Sequence, residues 1–339
     1  LPQHFGEYLR RTFGEGITDG FMKPYNEKVW AHPLDTLGCS WVGERVSVPD
    51  AARAARNIEQ GIDDVGWGPN STFSYPKRGG TGRFWTAIGS HLPADRIRMG
   101  TPVARVDRAH RVVELGDGSE VRYKHLISTI PLDLLAEMTG EPSLVAAVAD
   151  LSYSSVTVIG LGVTPEVSNH LGTKCWVYFP DASLPFYRVT NFSHYSAANT
   201  PHGEQTPSLL VELSESHHRP LDKSRLVPMT IDGLVSAGLL DDARQVSHIW
   251  THRANHAYPT PTLTRDASVI RALTALESSG ILSRGRFGAW RYEVGNMDHS
   301  FMQGYEAAER VLTGTQEITW THPEVVNAPR PAADHRPST

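Results

Sequence analysis

Cysteine is scarce in this chain. Of 339 residues only Cys39 and Cys175 are cysteines, and neither sits in a CxxC pair. That excludes a disulfide scaffold and a zinc knuckle and fits a reducing compartment. Long hydrophobic runs are missing too: the nearest, 156–163, has the length of a buried strand and not of a membrane span. No excess of positive charge is present, the formal net charge being −5, which argues against a nucleic-acid-binding surface. There is no HExxH, no GxSxG and no Walker A loop. The nearest approach to a dinucleotide fingerprint, Gly160-Leu-Gly162-Val-Thr-Pro165, fails at the third glycine. His217-His218 has no ligand-spaced cysteine partner, and the reading assigns no metal. Two sequons, at Asn70 and Asn191, read as chance matches in a cytosolic protein. The chain opens Leu1-Pro-Gln3, with neither a Met nor a signal-peptide pattern, and the expectation is of a cytoplasmic chain cut from a longer one.

What is present is an ordinary globular composition, 40% hydrophobic and 20% charged, of a length for about two domains. Residues 3–30 read as helical pieces around a break at Gly14 and Gly16, with Phe5, Tyr8, Leu9 and Phe13 on one face. Asp50 caps a helix over about 50–60. Strands are expected at 102–106, 110–115, 120–123 and 125–131, with Gly116-Asp-Gly-Ser119 as a hairpin turn. Helical pattern fills 132–150. Further strands follow at 156–163, 176–179, 186–192 and 208–213, then helices at 228–237, 266–279 and 302–312. In the second of these helices Val269, Ile270, Leu273 and Leu276 form the apolar stripe, and Gly280 suits its C-cap. Residues 322–339 read as a loose tail. The interleaving of helices and antiparallel hairpins points to a mixed α/β or α+β architecture.

Three segments stand out chemically. Tyr75-Pro-Lys-Arg-Gly-Gly-Thr-Gly82 lets the backbone approach a flat or anionic ligand, or is simply a turn before a helix starting near Phe84. Trp176-Val-Tyr-Phe179, Phe186-Tyr-Arg188 and Tyr195 combine aromatic bulk with polar ends; an Arg among tyrosine hydroxyls makes a phosphate clamp, while the plainer reading is core. Ser283-Arg-Gly-Arg-Phe-Gly-Ala-Trp-Arg-Tyr-Glu-Val-Gly-Asn296 leads into a helix start, which offers N–H groups to an anion. Its plainer reading is a strand and a surface loop with solvated arginines.

Taken together, these strings resemble eukaryotic-type UDP-galactopyranose mutases. The resemblance rests on Phe21-Met-Lys-Pro-Tyr-Asn-Glu-Lys-Val-Trp30, Trp41-Val-Gly-Glu-Arg45, Trp67-Gly-Pro-Asn70, Gly79-Gly-Thr-Gly82, Cys175-Trp-Val-Tyr-Phe-Pro180 and Phe186-Tyr-Arg188. His256-Ala-Tyr-Pro-Thr-Pro-Thr262 and Gly285-Arg-Phe-Gly-Ala-Trp-Arg-Tyr-Glu-Val-Gly-Asn296 complete it, in consistent order from about residue 5 to about 320. The resemblance implies an isomerase of the cytoplasm that interconverts UDP-galactopyranose and UDP-galactofuranose for galactofuranose-containing glycans of the cell wall. FAD would be the cofactor, with NADPH as reductant and attack by reduced flavin N5 on the anomeric carbon, and no protein nucleophile would be needed. Arg45 and Arg188 would clamp the diphosphate. Phe21, Asn26, Trp30, Asn70, Trp176, Tyr178, Tyr195, Tyr258, Tyr292 and Asn296 would surround the UDP-sugar. Gly80, Val103, Arg286, Gly295, Asn296, Met297 and Ser300 would contact the flavin.

The resemblance also implies a flavoprotein fold of the FAD/NAD(P)-binding type with its N-terminal GxGxxG βαβ unit absent. The expectation is therefore a C-terminal two-thirds of a mutase, its activity alone in doubt, with an apolar sheet face left exposed. In this reading residues 1–65 form a helical substrate-binding portion and 66–131 a flavin-contacting loop and hairpin. Residues 132–265 form a mixed sheet domain, 266–320 a second flavin-contacting segment and 321–339 a tail. No nucleic acid or membrane partner is expected, and a homo-oligomer is compatible with the reading. Two other functions stay open: an amine-oxidase-like flavin oxidoreductase, and an inactive UDP-sugar-binding module.

Overall fold

The computed structural model describes residues 1–46, 48, 50–62, 73–167, 171–200 and 207–328. Its strands are β1 (Val103–Asp107), β2 (Val112–Leu115), β3 (Glu120–Arg122), β4 (Leu126–Ser128), β5 (Ser152–Val163), β6 (Trp176–Tyr178), β7 (Arg188–Asn191), β8 (Ser208–Glu215), β9 (Val246–Thr260) and β10 (Ile281–Ser283). The chain divides into two compact units, each assembled from three separate stretches. The first holds Leu1–Leu37, Thr72–Thr101 and Tyr153–Thr260; the second holds Gly38–Ser71, Pro102–Ser152 and Pro261–Thr339. The consecutive blocks expected from sequence follow the chain, whereas these units interleave, because the chain leaves and re-enters each of them.

In the first unit the helix Phe5–Ile17 buries Phe5 and Leu9 completely, two of the four residues of the expected stripe. Gly14, at φ 74, kinks this helix without ending it. A π-turn, Thr18–Met22, follows, then a helix Lys23–Trp30 that stops at Ala31 in the left-handed region. The sequence showed no periodicity here because so short a helix, with four polar residues among its eight, has no clean apolar face. A five-stranded sheet runs β6-β7-β8-β5-β9. Its β6/β7, β7/β8 and β5/β8 pairs are antiparallel. On one face Leu209, Val211 and Leu213 of β8 join Ile159, Leu161 and Val163 of β5 and Val189 of β7, closed by Leu226 and Leu234 of the helix Leu226–Ser236. Each such side chain contributes roughly 1.5–3 kcal/mol on full burial.

Strand β9 escaped the sequence reading. It is mostly exposed and polar, so it lacks both the apolar run and the alternation that mark a strand. Exposed charged and polar side chains suit an edge strand, where they discourage pairing with another chain. The glycines of the failed dinucleotide pattern lie inside β5 and serve β9. A Cβ on Gly160 would come 3.3 Å from the Trp250 ring, and one on Gly162 3.2 Å from His248 Cβ. The Asn191 sequon lies in β7 with Asn191 buried; the Asn70 sequon lies outside the described residues.

The second unit contains the antiparallel sheet β1-β2-β3 and a parallel pair, β10-β4. Asp117 Oδ1 accepts from both the backbone N–H and the hydroxyl of Ser119 and so closes the hairpin turn. Helices Leu132–Thr139, Pro142–Val148 and Arg265–Glu277 pack around Leu135, Leu144, Val269, Leu273, Leu276 and Trp290. Ile270, expected in the buried stripe, is 53% exposed; Ala272 is buried instead, because the helix presents a narrower apolar face than four large residues would need. The last long helix, Met297–Thr313, begins five residues before the expected start at 302 and ends on Gly314 at φ 79. It leaves Met297, Phe301, Met302, Tyr305 and Leu312 exposed, whereas the parallel pair among the described residues exposes only Ile127. The expected apolar exposure thus falls on a helix more than on a sheet. No described helix is long and apolar enough to cross a membrane.

Candidate functional site

In the first unit the β6-β7-β8 register places Tyr178 opposite Arg188 and Arg188 opposite Glu212. Residues directly opposite one another share a face, so these three form a row across the sheet. Trp176, two residues from Tyr178, points to the same side. The neighbouring positions Val189 and Val211 point to the opposite face, into the core. Alternation along three short strands thus separates a polar row from an apolar one.

Arg188 donates from Nε and Nη2 to Glu212 Oε1 at 3.1 and 2.7 Å, and from Nη2 to Oε2 at 2.8 Å. Burial opposes the charge on Arg188, but the Glu212 carboxylate more than offsets it, and the guanidinium stays above its ordinary value. The Tyr187 hydroxyl donates to Glu212 Oε2 at 2.5 Å and lies 3.5 Å from the Tyr258 hydroxyl. Burial, with Tyr258 and Glu212 adding to it, holds the Tyr187 phenol well above its usual range. A guanidinium locked along one edge keeps its remaining N–H groups in a fixed direction, which is how a fork recognises phosphate.

The helix Lys23–Trp30 supplies the aromatic wall. Phe21 stacks on Tyr25 at 5.3 Å, and Tyr25 meets the rings of Tyr178 and Tyr187 edge-on at 5.5 and 6.5 Å. Trp30 meets Tyr258 edge-on at 6.2 Å. Asn26 donates its amide N–H to the Met22 carbonyl at 2.7 Å, an intrahelical bond that steadies the π-turn. Lys28 Nζ donates to the carbonyls of Phe179 and Asp181 at 2.9 and 2.7 Å and pins the helix to the end of β6. A second aromatic group joins Phe73, Tyr75, Trp176 and Tyr195. Phe73 lies 5.1 Å from Trp176 and 4.9 Å from Tyr195, and Tyr75 lies 5.1 Å from Tyr195. Burial pushes the Tyr195 phenol up to about 12.

Gly80 belongs to this unit. The glycine run is the first turn of the helix Gly80–Gly89, so the helix begins four residues before Phe84, where the sequence reading started it. Gly79 and Gly80 both have positive φ, and a Cβ on Gly80 would come 3.1 Å from the Tyr75 hydroxyl.

In the second unit Arg45 ends a short 3-10 turn, Gly43–Arg45, just after the buried Trp41. It donates from Nε and Nη2 to the Glu293 carbonyl at 3.1 and 2.7 Å, and Nη2 lies 3.1 Å from His299 Nδ1. Tyr292 meets Trp41 edge-on at 5.5 Å. The Glu293 carboxylate is held by the buried Arg265 at 2.9 and 3.0 Å. Gln303 binds this segment from the last helix, accepting from Gly285 N at 2.9 Å and donating to the Val294 carbonyl at 2.8 Å. Arg286 Nε donates to the Gly295 carbonyl at 2.9 Å. A Cβ on Gly295 would lie 3.1 Å from Arg286 Cγ, so this glycine makes room for the arginine. Asn296 stands at the N-cap of Met297–Thr313 without a side-chain cap bond, and Ser300 N donates to its carbonyl at 2.9 Å. Val103 opens β1 and packs on the core of this unit.

Phe21, Asn26, Trp30, Trp176, Tyr178, Arg188, Tyr195, Tyr258 and Gly80 thus lie in the first unit. Arg45, Val103, Tyr292, Arg286, Gly295, Asn296, Met297 and Ser300 lie in the second. Asn70 lies outside the described residues. The reading of solvated arginines around residue 284 fails: Arg284 is buried, donates to Glu317 and Glu277, and lies 4.4 Å from the centre of the Trp320 ring. Sequence reasoning missed Glu212, Tyr25 and Lys28. For Glu212 a signal existed: it is an acid within Leu209-Leu-Val-Glu-Leu213, and a charge inside an otherwise apolar strand requires a partner.

The family of flavin containing amine oxidoreductases matches residues 3–312. A crystal structure of reduced UDP-galactopyranose mutase is similar at 43% identity with a TM-score of 0.90, over 96% of this chain and 71% of that one. The cyclohexylamine oxidase of Brevibacterium oxydans IH-35A shares the fold at 13% identity and a TM-score of 0.63, over 91% of this chain and 67% of that one. Among curated proteins, an octanoyltransferase of Clavibacter michiganensis subsp. michiganensis is 42% identical over 77 residues. That stretch is 22% of this chain and 33% of the octanoyltransferase, so the chain spans about a third of that relative.

Proposed function

The chain belongs to the UDP-galactopyranose mutases within the flavin containing amine oxidoreductases, and from that premise we propose that it serves the interconversion of UDP-galactopyranose and UDP-galactofuranose. The observation that carries this reading is the 43% identity to a mutase over nearly the whole chain. A guanidinium framed by phenols agrees with it, since a nucleoside diphosphate needs such a group.

Arg188, oriented by Glu212, takes a phosphoryl oxygen with the N–H groups that Glu212 does not use. In the second unit Arg45, oriented by the Glu293 carbonyl, is the other candidate for such a contact. A guanidinium offsets the charge of the departing diphosphate, which lowers the barrier to breaking the bond at the anomeric carbon. Tyr178, Tyr195, Tyr258 and Tyr292 donate to diphosphate or sugar oxygens. Phe21 and Trp176 offer ring faces to the uracil, with Asn26 beside the nucleotide, whereas Trp30 is fully buried and supports Tyr258 instead of touching the ligand.

A flavin fits the second unit. The positive dipole end of the helix Met297–Thr313, which starts at Asn296, suits an anionic ring nitrogen. Gly295, Asn296, Met297, Ser300 and Arg286 would hold FAD there, with Val103 contributing a backbone contact. When bound and reduced, with NADPH as the proposed reductant, FAD supplies the nucleophilic nitrogen. The protein contributes position and charge compensation.

The test is to express the protein with any adjoining coding sequence, record its flavin absorption, and follow UDP-galactofuranose consumption by chromatography under dithionite. Turnover that falls at least 100-fold in Arg45→Ala and in Arg188→Ala is expected, on the scale of losing a charge-stabilising donor. A yellow protein that leaves the sugar untouched, or that consumes oxygen with an amine, overturns the reading.

A further inference from the structure

His217 and His218 have no ligand-spaced partner in sequence, but the fold brings a third histidine to them. His32 follows Ala31, which ends the helix Lys23–Trp30 in the left-handed region; the histidine pair lies in the turn after β8. One ring nitrogen from each of the three lies within 4.8 Å of the other two. The rings pack edge to face, His32 at 5.7 Å from His217 and 5.0 Å from His218, while His217 and His218 are 3.8 Å apart. We propose that His32, His217 and His218 form a binding site for a divalent transition-metal ion, Zn²⁺ in the first place, which clips the end of the helix Lys23–Trp30 to the turn after β8.

The surroundings suit this. His32 is buried, and its Nδ1 lies 2.7 Å from the Trp30 carbonyl. That bond orients the His32 ring, as a hydrogen bond from an outer partner commonly orients a metal-ligating histidine. Ser216 sets the other half: its hydroxyl donates to the Ala31 carbonyl and accepts from the His218 N–H at 3.0 Å. The Ser216–Arg219 bridge closes the turn. One side chain thereby ties the segment before His32 to the turn that carries the other two ligands.

The Arg219 guanidinium is spent on the carbonyls of Ser214 and Pro185 at 2.8 and 3.1 Å. Three imidazoles without a carboxylate select a borderline ion such as Zn²⁺, Co²⁺ or Ni²⁺ over Mg²⁺ or Ca²⁺. Zn–N bonds of about 2.0–2.1 Å need the nitrogens closer together than their present limit, and the two exposed rings can turn inward onto the buried one. The fourth position stays open to water. The site is independent of the mutase reading, although it clamps two elements of the candidate site, the helix bearing Asn26 and Trp30 and the strand bearing Glu212.

The experiment is a titration of the chain, without a histidine tag, with Co²⁺ followed by its visible ligand-field absorption, then displacement with Zn²⁺. One equivalent is expected, with a higher thermal midpoint in Zn²⁺ than in EDTA. The double variant His217→Ala/His218→Ala, in which only exposed side chains change, should bind ~100-fold or more weakly and lose the midpoint shift while keeping its circular dichroism. His32→Gln should lose binding as well. Absence of saturable binding in the parent chain, or unchanged binding in the double variant, overturns the proposal.

Discussion

Arg188 and Glu212 face each other across β7 and β8, joined by three hydrogen bonds between 2.7 and 3.1 Å, and the carboxylate also accepts from Tyr187. Glu212 therefore aims the arginine and offsets its charge. Arg188→Lys retains the charge but loses the fork. UDP affinity, measured by isothermal titration, is expected to fall at least tenfold while the urea midpoint moves little. Glu212→Ala leaves the Arg188 charge without its partner and should cost roughly 2–3 kcal/mol of stability in urea, somewhat less than the loss of a fully buried partner.

Lys28 is 4% exposed, and burial, helped by the Arg219 charge, pushes its ammonium down from 10.5 to about 8. Between those values the unfolded chain holds a proton that the folded chain has released, so stability rises with pH across the window. Below pH 8 both states are protonated and the penalty is constant. Urea midpoints from pH 8 to 10 should climb in the parent and climb less in Lys28→Met.

His32 behaves in the same sense at lower pH. Burial, with His218 and His217 adding to it, depresses its folded value below 6.5, partly opposed by the Trp30 carbonyl. Below pH 6.5 the unfolded chain takes up the proton first, and stability falls as the pH falls. In EDTA the urea midpoint should drop between pH 7 and 5, and His32→Asn should flatten that drop.

Two glycines of the second unit make opposite predictions. A Cβ on Gly288 would lie 2.1 Å from the Arg284 carbonyl oxygen, which is backbone and cannot swing away. Gly288→Ala should cost roughly 3 kcal/mol or more, at the upper end for overpacking. Gly304, inside the helix Met297–Thr313, has nothing within 4 Å of its Cβ position. Gly304→Ala should stabilise by about 0.5–1 kcal/mol. Thermal melts of the two variants compare them directly.

Much of this molecule was legible locally. The Gly116–Ser119 hairpin, the Asp50 cap and the Gly314 helix end follow from backbone preferences that act over a few residues, whereas the helix Arg265–Glu277 is capped by Ser278 and not by Gly280. The run 156–163 follows from apolar content alone. The aromatic and arginine strings pointed to the site residues through family resemblance and chemistry. Tertiary structure decided what depends on partners far away in the chain: Glu212 as the carboxylate that aims Arg188, β9 as an edge strand of polar residues, Arg284 as a buried ion pair rather than a solvated charge, and His32 beside a histidine pair 185 residues on. Local propensity is a property of neighbouring residues and can be read from their order. The pairing of charges and ligands depends on which strands lie side by side, and only packing of the whole chain determines that.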